Sequence, residues 1–72
     1  MRRDIDDIPN SLLTIYIDEW EKSERNRTIL KRRFIDGLTF DELSEEFNLS
    51  PQAVKKIVYK HGDKILLKIL NK

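Results

Sequence analysis

Cysteine is absent from the 72 residues, and glycine and proline occur only twice each. Without cysteine the chain can form neither a disulfide framework nor a thiolate metal site, which suits a reducing compartment. No apolar run approaches the roughly 20 residues of a membrane span. Acids, instead of the apolar stretch of a signal peptide, follow Met1-Arg2-Arg3. We therefore expect a cytoplasmic domain without a membrane segment.

Recognisable catalytic motifs are missing as well. There is no glycine-rich phosphate loop, no HExxH sequence and no paired-carboxylate motif. His61, the only histidine, lies on an apolar stripe, where packing or a phosphate contact is commoner than catalysis. Asp4, Asp6 and Asp7 resemble the start of a calcium loop, but the glycine and the distal glutamate of that loop are missing. We predict no enzyme, no cofactor and no metal site.

Charge is abundant, at 38% of residues against about 25% in an average protein. The formal net charge of +1 conceals blocks of alternating sign: residues 1–24 carry −4, 25–35 carry +5, 36–49 carry −5 and 50–72 carry +5. Two basic segments are therefore separated by an acidic one, and local charge governs the encounter with a polyanion. The blocks fit either a polyanion-binding surface or ordinary solvated helix faces.

Apolar spacing and capping residues predict four helices and no strand. The first begins at Pro9 or Ser11, ends near Lys22 and has one apolar stripe with helical spacing. That stripe consists of Leu13, Tyr16, Ile17 and Trp20. Ser23 caps the second helix, which ends near residue 36 because Gly37 supplies a left-handed conformation.

The third helix begins at a capping box formed by Thr39 and Glu42 and continues to Phe47. Asn48 then adopts the left-handed conformation, and Ser50 caps a fourth helix. Pro51 suits its first position, and a break at Gly62 is left open. Apolar residues point inward from the third helix: Phe40, Leu43 and Phe47.

Two short helices joined at Asn48-Leu49-Ser50 have the outline of a helix-turn-helix. The first helix of such a pair needs a small residue where the second helix crosses it, and Ser44 occupies that position. The apolar residues that lock such a pair are at the required spacing: Leu43, Phe47, Leu49, Val54 and Ile57. The same spacing also suits any helical hairpin.

The fourth helix has two opposite faces. The inward stripe consists of Val54, Ile57, Val58 and His61. The outward stripe consists of Gln52, Lys55, Lys56 and Tyr59, with Lys60 on its flank. A DNA major groove admits one α-helix, and these outward side chains could reach base edges and phosphates there. The alternative is an ordinary solvated lysine face.

At these residues the chain resembles region 4 of the sigma-70 family of transcription factors. The segment 25–43, RNRTILKRRFIDGLTFDEL, is similar to the start of that region, and the segment 49–55, LSPQAVK, is similar to its recognition-helix entrance. The resemblance covers residues 23–64. It lies between a polar lead-in (1–8) with a first helix (9–22) and an apolar tail (65–72), within one domain.

The resemblance implies an all-α helical bundle whose helix-turn-helix reads the −35 promoter element and contacts RNA polymerase. Carried over by position, Pro51, Gln52, Lys55 and Lys56 would face bases or phosphates. Arg33 would support a contact with the DNA backbone, and Thr39 would cap its helix beside the DNA. Charge adds Lys60 and Arg32 to the expected phosphate contacts.

Three departures from the family pattern qualify this expectation. Arg32 occupies a position that is usually apolar in the family, and Asn48 replaces the commoner glycine. The chain also leaves no room for the module that recognises and melts the −10 region. We therefore expect a stand-alone regulator of the type encoded by bacteriophages and bacterial prophages.

The tail Ile65-Leu66-Leu67-Lys68-Ile69-Leu70 is apolar on nearly every side of a helix. One side can cover the first helix, where we expect Trp20 to be substantially buried. The rest would be exposed, and an exposed apolar patch commonly marks an association surface, here for a homodimer or for RNA polymerase.

These features predict a sequence-specific double-stranded DNA-binding regulator of transcription. The alternative is a protein-interaction module that binds RNA polymerase or a sigma factor without reading DNA. The acidic third helix and the apolar tail favour that alternative.

Overall fold

Helices make up most of residues 8–71, the part of the chain that the computed structural model describes. In chain order they are α1 (Asn10–Trp20), α2 (Glu24–Phe34), α3 (Phe40–Phe47), α4 (Pro51–Ile57), a π-helical segment (Val58–Gly62) and α5 (Asp63–Leu70). Because α4, the π-helical segment and α5 are continuous, they form one long helical run. The predicted all-α bundle of about four helices, without a strand in this part of the chain, is confirmed. The acids Asp4, Asp6 and Asp7 lie outside the described residues.

The three predicted helix caps form, each through a side-chain hydroxyl group. The side chains of Ser23, Thr39 and Ser50 each accept a hydrogen bond from the backbone N–H three residues later, at 3.1–3.3 Å. The Glu42 carboxylate accepts from the Thr39 N–H at 2.8 Å, which completes the capping box. These bonds satisfy N–H groups that have no partner within the helix, and so fix where α2, α3 and α4 begin.

Left-handed backbone ends two of the helical regions, as predicted. Gly37 has φ 76° and Asn48 has φ 56°, the two positive values among the described residues. The helix ends themselves fall slightly earlier than predicted. α1 ends at Trp20 because Glu21 is extended (φ −105°, ψ 116°), and α2 ends at Phe34.

The core draws on every helix. Its buried apolar residues are Leu13, Ile17, Ile29, Leu30, Leu43, Val54, Val58, Ile65 and Ile69. α1 packs on α2 and α5, whereas α3 packs on α2 and α4. The helix-turn-helix and the α1–α5 pair are therefore connected through α2, which contacts both α1 and α3.

The chain does not break at Gly62, which has ordinary helical angles (φ −67°, ψ −44°). Glycine is needed there for space, since a Cβ atom would lie 2.8 Å from Cζ of Phe34. The helical run therefore continues through Gly62, where it passes close to α2. Gly62 is the last residue of the π-helical segment.

The expected burial of Trp20 is wrong. Its residue surface is 48% exposed, since α1 ends at this position and the ring lies at the margin of the α1–α5 contact. The Lys68 ammonium group covers part of the ring, 4.0 Å from its centre. On α5, Ile65 and Ile69 are buried, whereas Leu67 is 58% exposed. No helix between residues 8 and 71 is long and apolar enough to cross a bilayer.

Candidate nucleic-acid interface

The helix-turn-helix is assembled by α3, the turn and α4. Ser44 is buried at the crossing, and its hydroxyl donates to the Asp41 carbonyl at 2.7 Å, so the small polar side chain is satisfied internally. The left-handed Asn48 reverses the chain, and the Leu49 N–H donates to the Ser44 carbonyl at 3.0 Å. The turn and the crossing thus fix the direction of α4.

The two faces of the α4 run are divided as the sequence predicts. Val54 and Val58 are buried, and Ile57 and His61 are partly buried. The side chains of the α4 run that are predicted to meet DNA are all exposed: Pro51, Gln52, Lys55, Lys56, Tyr59 and Lys60. None of these lysines forms an ion pair with any residue in the described range 8–71. This surface, the α4 face, therefore presents three uncompensated positive charges.

An aromatic ring joins the α4 face to the end of α2. The Arg33 guanidinium carbon lies 4.3 Å from the centre of the Phe40 ring, and the Lys55 ammonium group lies 5.8 Å from it. The Tyr59 ring meets Phe40 edge-on, with centroids 5.9 Å apart and planes at 74°. Arg33 also donates to the Leu38 carbonyl at 2.8 Å. Three predicted DNA contacts therefore converge on Phe40, next to Thr39 in the chain.

Arg32 is placed differently. Its guanidinium donates to Glu46 at 2.8 and 3.3 Å and to Asp36 at 3.2 Å. The hydrogen bond to Glu46, together with the charge of Glu46, raises the pKa of Arg32 above its ordinary value. The side chain thus links α2 to α3 with its charge compensated.

The first basic block is largely engaged within the chain. Lys31 pairs with Asp18 at 2.7 Å, and Arg27 donates to the carbonyls of Glu21 and Lys22 at 2.8 and 3.1 Å. These contacts join α2 to α1 and to the loop between them. The lysines of the α4 face, in the second basic block, have no ion pair or hydrogen bond of this kind within residues 8–71.

His61 is packed against a carboxylate. Its Nδ1 atom lies 2.8 Å from Oε1 of Glu21, a residue that is only 7% exposed. The other Glu21 oxygen accepts from the Ser23 N–H at 3.1 Å. The pair anchors the π-helical segment to the loop between α1 and α2.

Sequence reasoning placed Phe40 in the core and missed its contacts with the two cations and the tyrosine. A signal for this role was present, because Phe40 directly follows the capping residue Thr39. The pairing of Arg32 with Glu46 was also missed, since the two residues are far apart in sequence and only the packing of α2 on α3 brings them together.

Comparison with known families agrees with this geometry. The family described as "Sigma-70, region 4" matches residues 23–60, over half of the chain and the whole helix-turn-helix. No curated protein and no solved structure matches significantly. The family is one of DNA-binding, helix-turn-helix regulatory domains and is not a family of enzymes. The chain, with its capped α3, its left-handed turn and its basic α4 face, belongs to the sigma-70 region 4 family.

Proposed function

We propose that this protein regulates transcription in the cytoplasm by binding double-stranded DNA sequence-specifically through the α4 face. The observation that carries the proposal is the contrast between the two basic blocks. Several basic side chains of residues 25–35 form ion pairs or hydrogen bonds within the chain. Lys55, Lys56 and Lys60, in contrast, are exposed and form no ion pair in the described part. A polyanion with regularly spaced charges is the ligand that such a helix face fits best.

In this proposal α4 enters the major groove from its N-terminal end, where Pro51 and Gln52 are exposed. Gln52 can form two hydrogen bonds with an adenine, whereas the lysines act as point charges toward phosphates. No arginine follows Ser50, so the commonest bidentate contact with guanine is unavailable from this helix. The expected result is modest sequence preference on top of strongly salt-dependent affinity.

Residues outside α4 extend the proposed surface. Arg33 contacts the Phe40 ring, and Thr39 is the residue before Phe40 in the chain. From these positions both side chains would contact the DNA backbone. Arg32 is proposed as a weaker phosphate contact than the lysines of α4, because Glu46 and Asp36 already compensate its charge.

The proposal is tested by titrating salt in a duplex-binding assay with wild type, Lys55→Ala and Lys22→Ala. Lys22 is an exposed lysine in the loop between α1 and α2, and it belongs neither to the α4 face nor to the lining of the groove between α1 and α5. Wild type should bind random duplex at low salt, and Lys55→Ala should flatten the log–log salt slope by about one unit. Lys22→Ala should leave the slope unchanged. Absence of binding by wild type at low salt would exclude the DNA-binding proposal.

A second candidate function, protein binding without DNA reading, is favoured by the α1–α5 groove. This open groove of about 760 Å³ is lined by Ile15, Tyr16, Glu19, Trp20, Lys64, Leu67, Lys68 and Asn71. Ile15 and Leu67 both line this groove and are each more than half exposed, and exposed apolar groups in one surface commonly mark an association site. Such a surface fits an apolar helix of a partner.

We propose a second copy of this chain as the occupant of the groove. Glu19 on α1 and Lys64 on α5 line it, and neither forms an ion pair within residues 8–71. A two-fold axis through the groove can place each Glu19 against the other copy's lysine, as an isologous interface requires. Leu67 also borders a second hollow of about 330 Å³, so the surface offers both a ridge and a recess.

Sedimentation of the whole chain over a concentration series tests the dimer. Glu19→Lys should weaken association, Glu19→Lys combined with Lys64→Glu should restore it, and Glu45→Lys on α3 is the matched control. A wild type that is monomeric at high micromolar concentration would exclude the dimer. Binding of RNA polymerase by that monomer, lost in Leu67→Glu, would assign the groove to the polymerase instead.

A further inference from the structure

We infer that Phe40 is a positioning residue for DNA binding, whose ring holds Arg33, Lys55 and Tyr59 in the arrangement that meets the duplex. The inference rests on the proposed function and deepens it. It gives a role outside the core to a side chain whose spacing alone marks it as an inward residue of α3.

The contacts come from three separate elements. Arg33 is the tenth residue of α2, Phe40 is the first residue of α3, and Lys55 and Tyr59 are one turn apart on the α4 run. The guanidinium and ammonium groups lie 4.3 and 5.8 Å from the ring centre, and the Tyr59 ring packs edge-on at 5.9 Å. These are the separations at which an aromatic ring attracts cations and a second ring.

The physical effect is pre-organisation. A free lysine or arginine side chain loses rotamer entropy when it docks on a phosphate, and this loss opposes binding. A cation that already rests on an aromatic face loses less rotamer entropy on binding. Arg33 is held twice, by the ring and by the Leu38 carbonyl at 2.8 Å.

Phe34 provides an internal comparison. It is also a partly buried phenylalanine packed against the core, at the end of α2 and outside the helix-turn-helix. Within residues 8–71 no cation and no second ring is found in contact with it. The same substitution at both positions therefore separates core packing from the positioning of charged groups.

The test measures duplex affinity at fixed low salt for wild type, Phe40→Leu, Phe40→Tyr and Phe34→Leu, each shown to be folded by circular dichroism. Phe40→Leu should weaken binding about fivefold, because Arg33 and Lys55 would then lose their rotamer freedom only on binding. Phe40→Tyr keeps the ring and should retain the affinity, and Phe34→Leu should bind as wild type does. Lys55→Ala should weaken binding less in the Phe40→Leu background than in wild type.

A second readout needs no DNA. In the free protein, nuclear magnetic resonance should show ring-current shifts of the Arg33 side-chain protons that persist in Phe34→Leu and disappear in Phe40→Leu. Equal loss of affinity in Phe40→Leu and Phe34→Leu, or unchanged affinity in Phe40→Leu, would overturn the inference while leaving the DNA-binding proposal intact. A wild type that binds no duplex would overturn both.

Discussion

Among single residues, the cations differ in whether an acid already compensates their charge. Lys56 and Lys60 are exposed with no ion pair in the described part of the chain, whereas Arg32 is shared between Glu46 and Asp36. A guanidinium that is paired with carboxylates must break those ion pairs before it can neutralise a phosphate. If the pairs stay intact, the carboxylates also lie near the phosphate and oppose its binding. Formal charge counted along the sequence therefore overstates the contribution of α2 to polyanion binding.

We predict that Arg32→Ala changes the salt dependence of DNA binding less than Lys56→Ala does. Loss of an uncompensated lysine should flatten the log–log salt slope by roughly one unit, because one fewer counterion is released. Each substitution removes one positive charge, but Arg32→Ala removes a side chain that is already paired with Glu46 and Asp36. The number of phosphate contacts therefore stays nearly constant in Arg32→Ala. Parallel salt titrations of the two variants check this. Equal flattening would identify Arg32 as a direct phosphate contact.

Gln52 should carry sequence preference and not bulk affinity. Its amide is exposed near the N-terminal end of α4 and bears no charge. We expect Gln52→Ala to relax discrimination at one base pair by about 1–3 kcal/mol and to leave the salt slope unchanged. Selection of bound duplexes from a randomised pool, for wild type and variant, measures the preference. An identical selected sequence for both proteins would contradict the assignment.

Among the helices, the boundaries were predictable where a local signal decides them. Ser23, Thr39 and Ser50 cap because their hydroxyls reach an N–H three residues on, and Asn48 turns because its side chain tolerates positive φ. Each of these signals lies within four residues of the feature it causes. The sequence therefore predicted α2, α3, the turn and the exposed α4 face.

Features that depend on distant contacts were not predictable in this way. Gly62 suggested a break, yet it is helical and is required by the ring of Phe34, which lies nearly thirty residues earlier in the chain. Phe40 was expected in the core because its spacing along α3 fits, while its contacts with Arg33 and Lys55 depend on how three elements pack. Spacing gives the face of one helix but not its neighbours.

The two glycines should respond differently to the same substitution. Gly37→Ala places a side chain at φ 76° with open space around it, which costs about 1–2 kcal/mol of conformational strain. Gly62→Ala has a favourable backbone, but its Cβ would lie 2.8 Å from Phe34 Cζ, and overpacking costs about 1–3 kcal/mol. Both variants should unfold at lower denaturant concentration than wild type.

Phe34→Leu distinguishes the two causes, because it removes the ring atoms nearest to Gly62. In that background Gly62→Ala should become stabilising by about 0.5–1 kcal/mol, since alanine favours a helix more than glycine does. Gly37→Ala should cost the same as before. Denaturant unfolding of the four variants and the two parents gives the coupling, and additivity at Gly62 would refute the close contact.

For the whole molecule, the helix-turn-helix and the α1–α5 groove are built largely from different helices. α3 packs on α2 and α4, and α1 packs on α2 and α5, so the DNA-facing and groove-lining residues share no helix except the continuous α4–α5 run. Substitutions in the groove should therefore leave the geometry of the α4 face unchanged. We therefore expect a duplex and an occupant of the groove to bind at the same time.

Trp20 shows how this arrangement affects stability. The apolar spacing of α1 assigns Trp20 to the core with Ile17, but α1 ends at Trp20, and this residue is 48% exposed while Ile17 is fully buried. What Trp20→Ala removes is a partial contact and one cation–π interaction with Lys68, the latter worth about 0.5–1 kcal/mol at an exposed site. Ile17→Ala instead leaves a cavity in the core, at a cost of about 2–5 kcal/mol.

Denaturant unfolding at a concentration where the protein is monomeric should therefore show that Ile17→Ala lowers the free energy of unfolding more than Trp20→Ala does, although isoleucine is the smaller residue. In the same wild-type sample, iodide should quench the Trp20 fluorescence. A larger loss of stability for Trp20→Ala, or fluorescence protected from iodide, would show that the ring is buried after all.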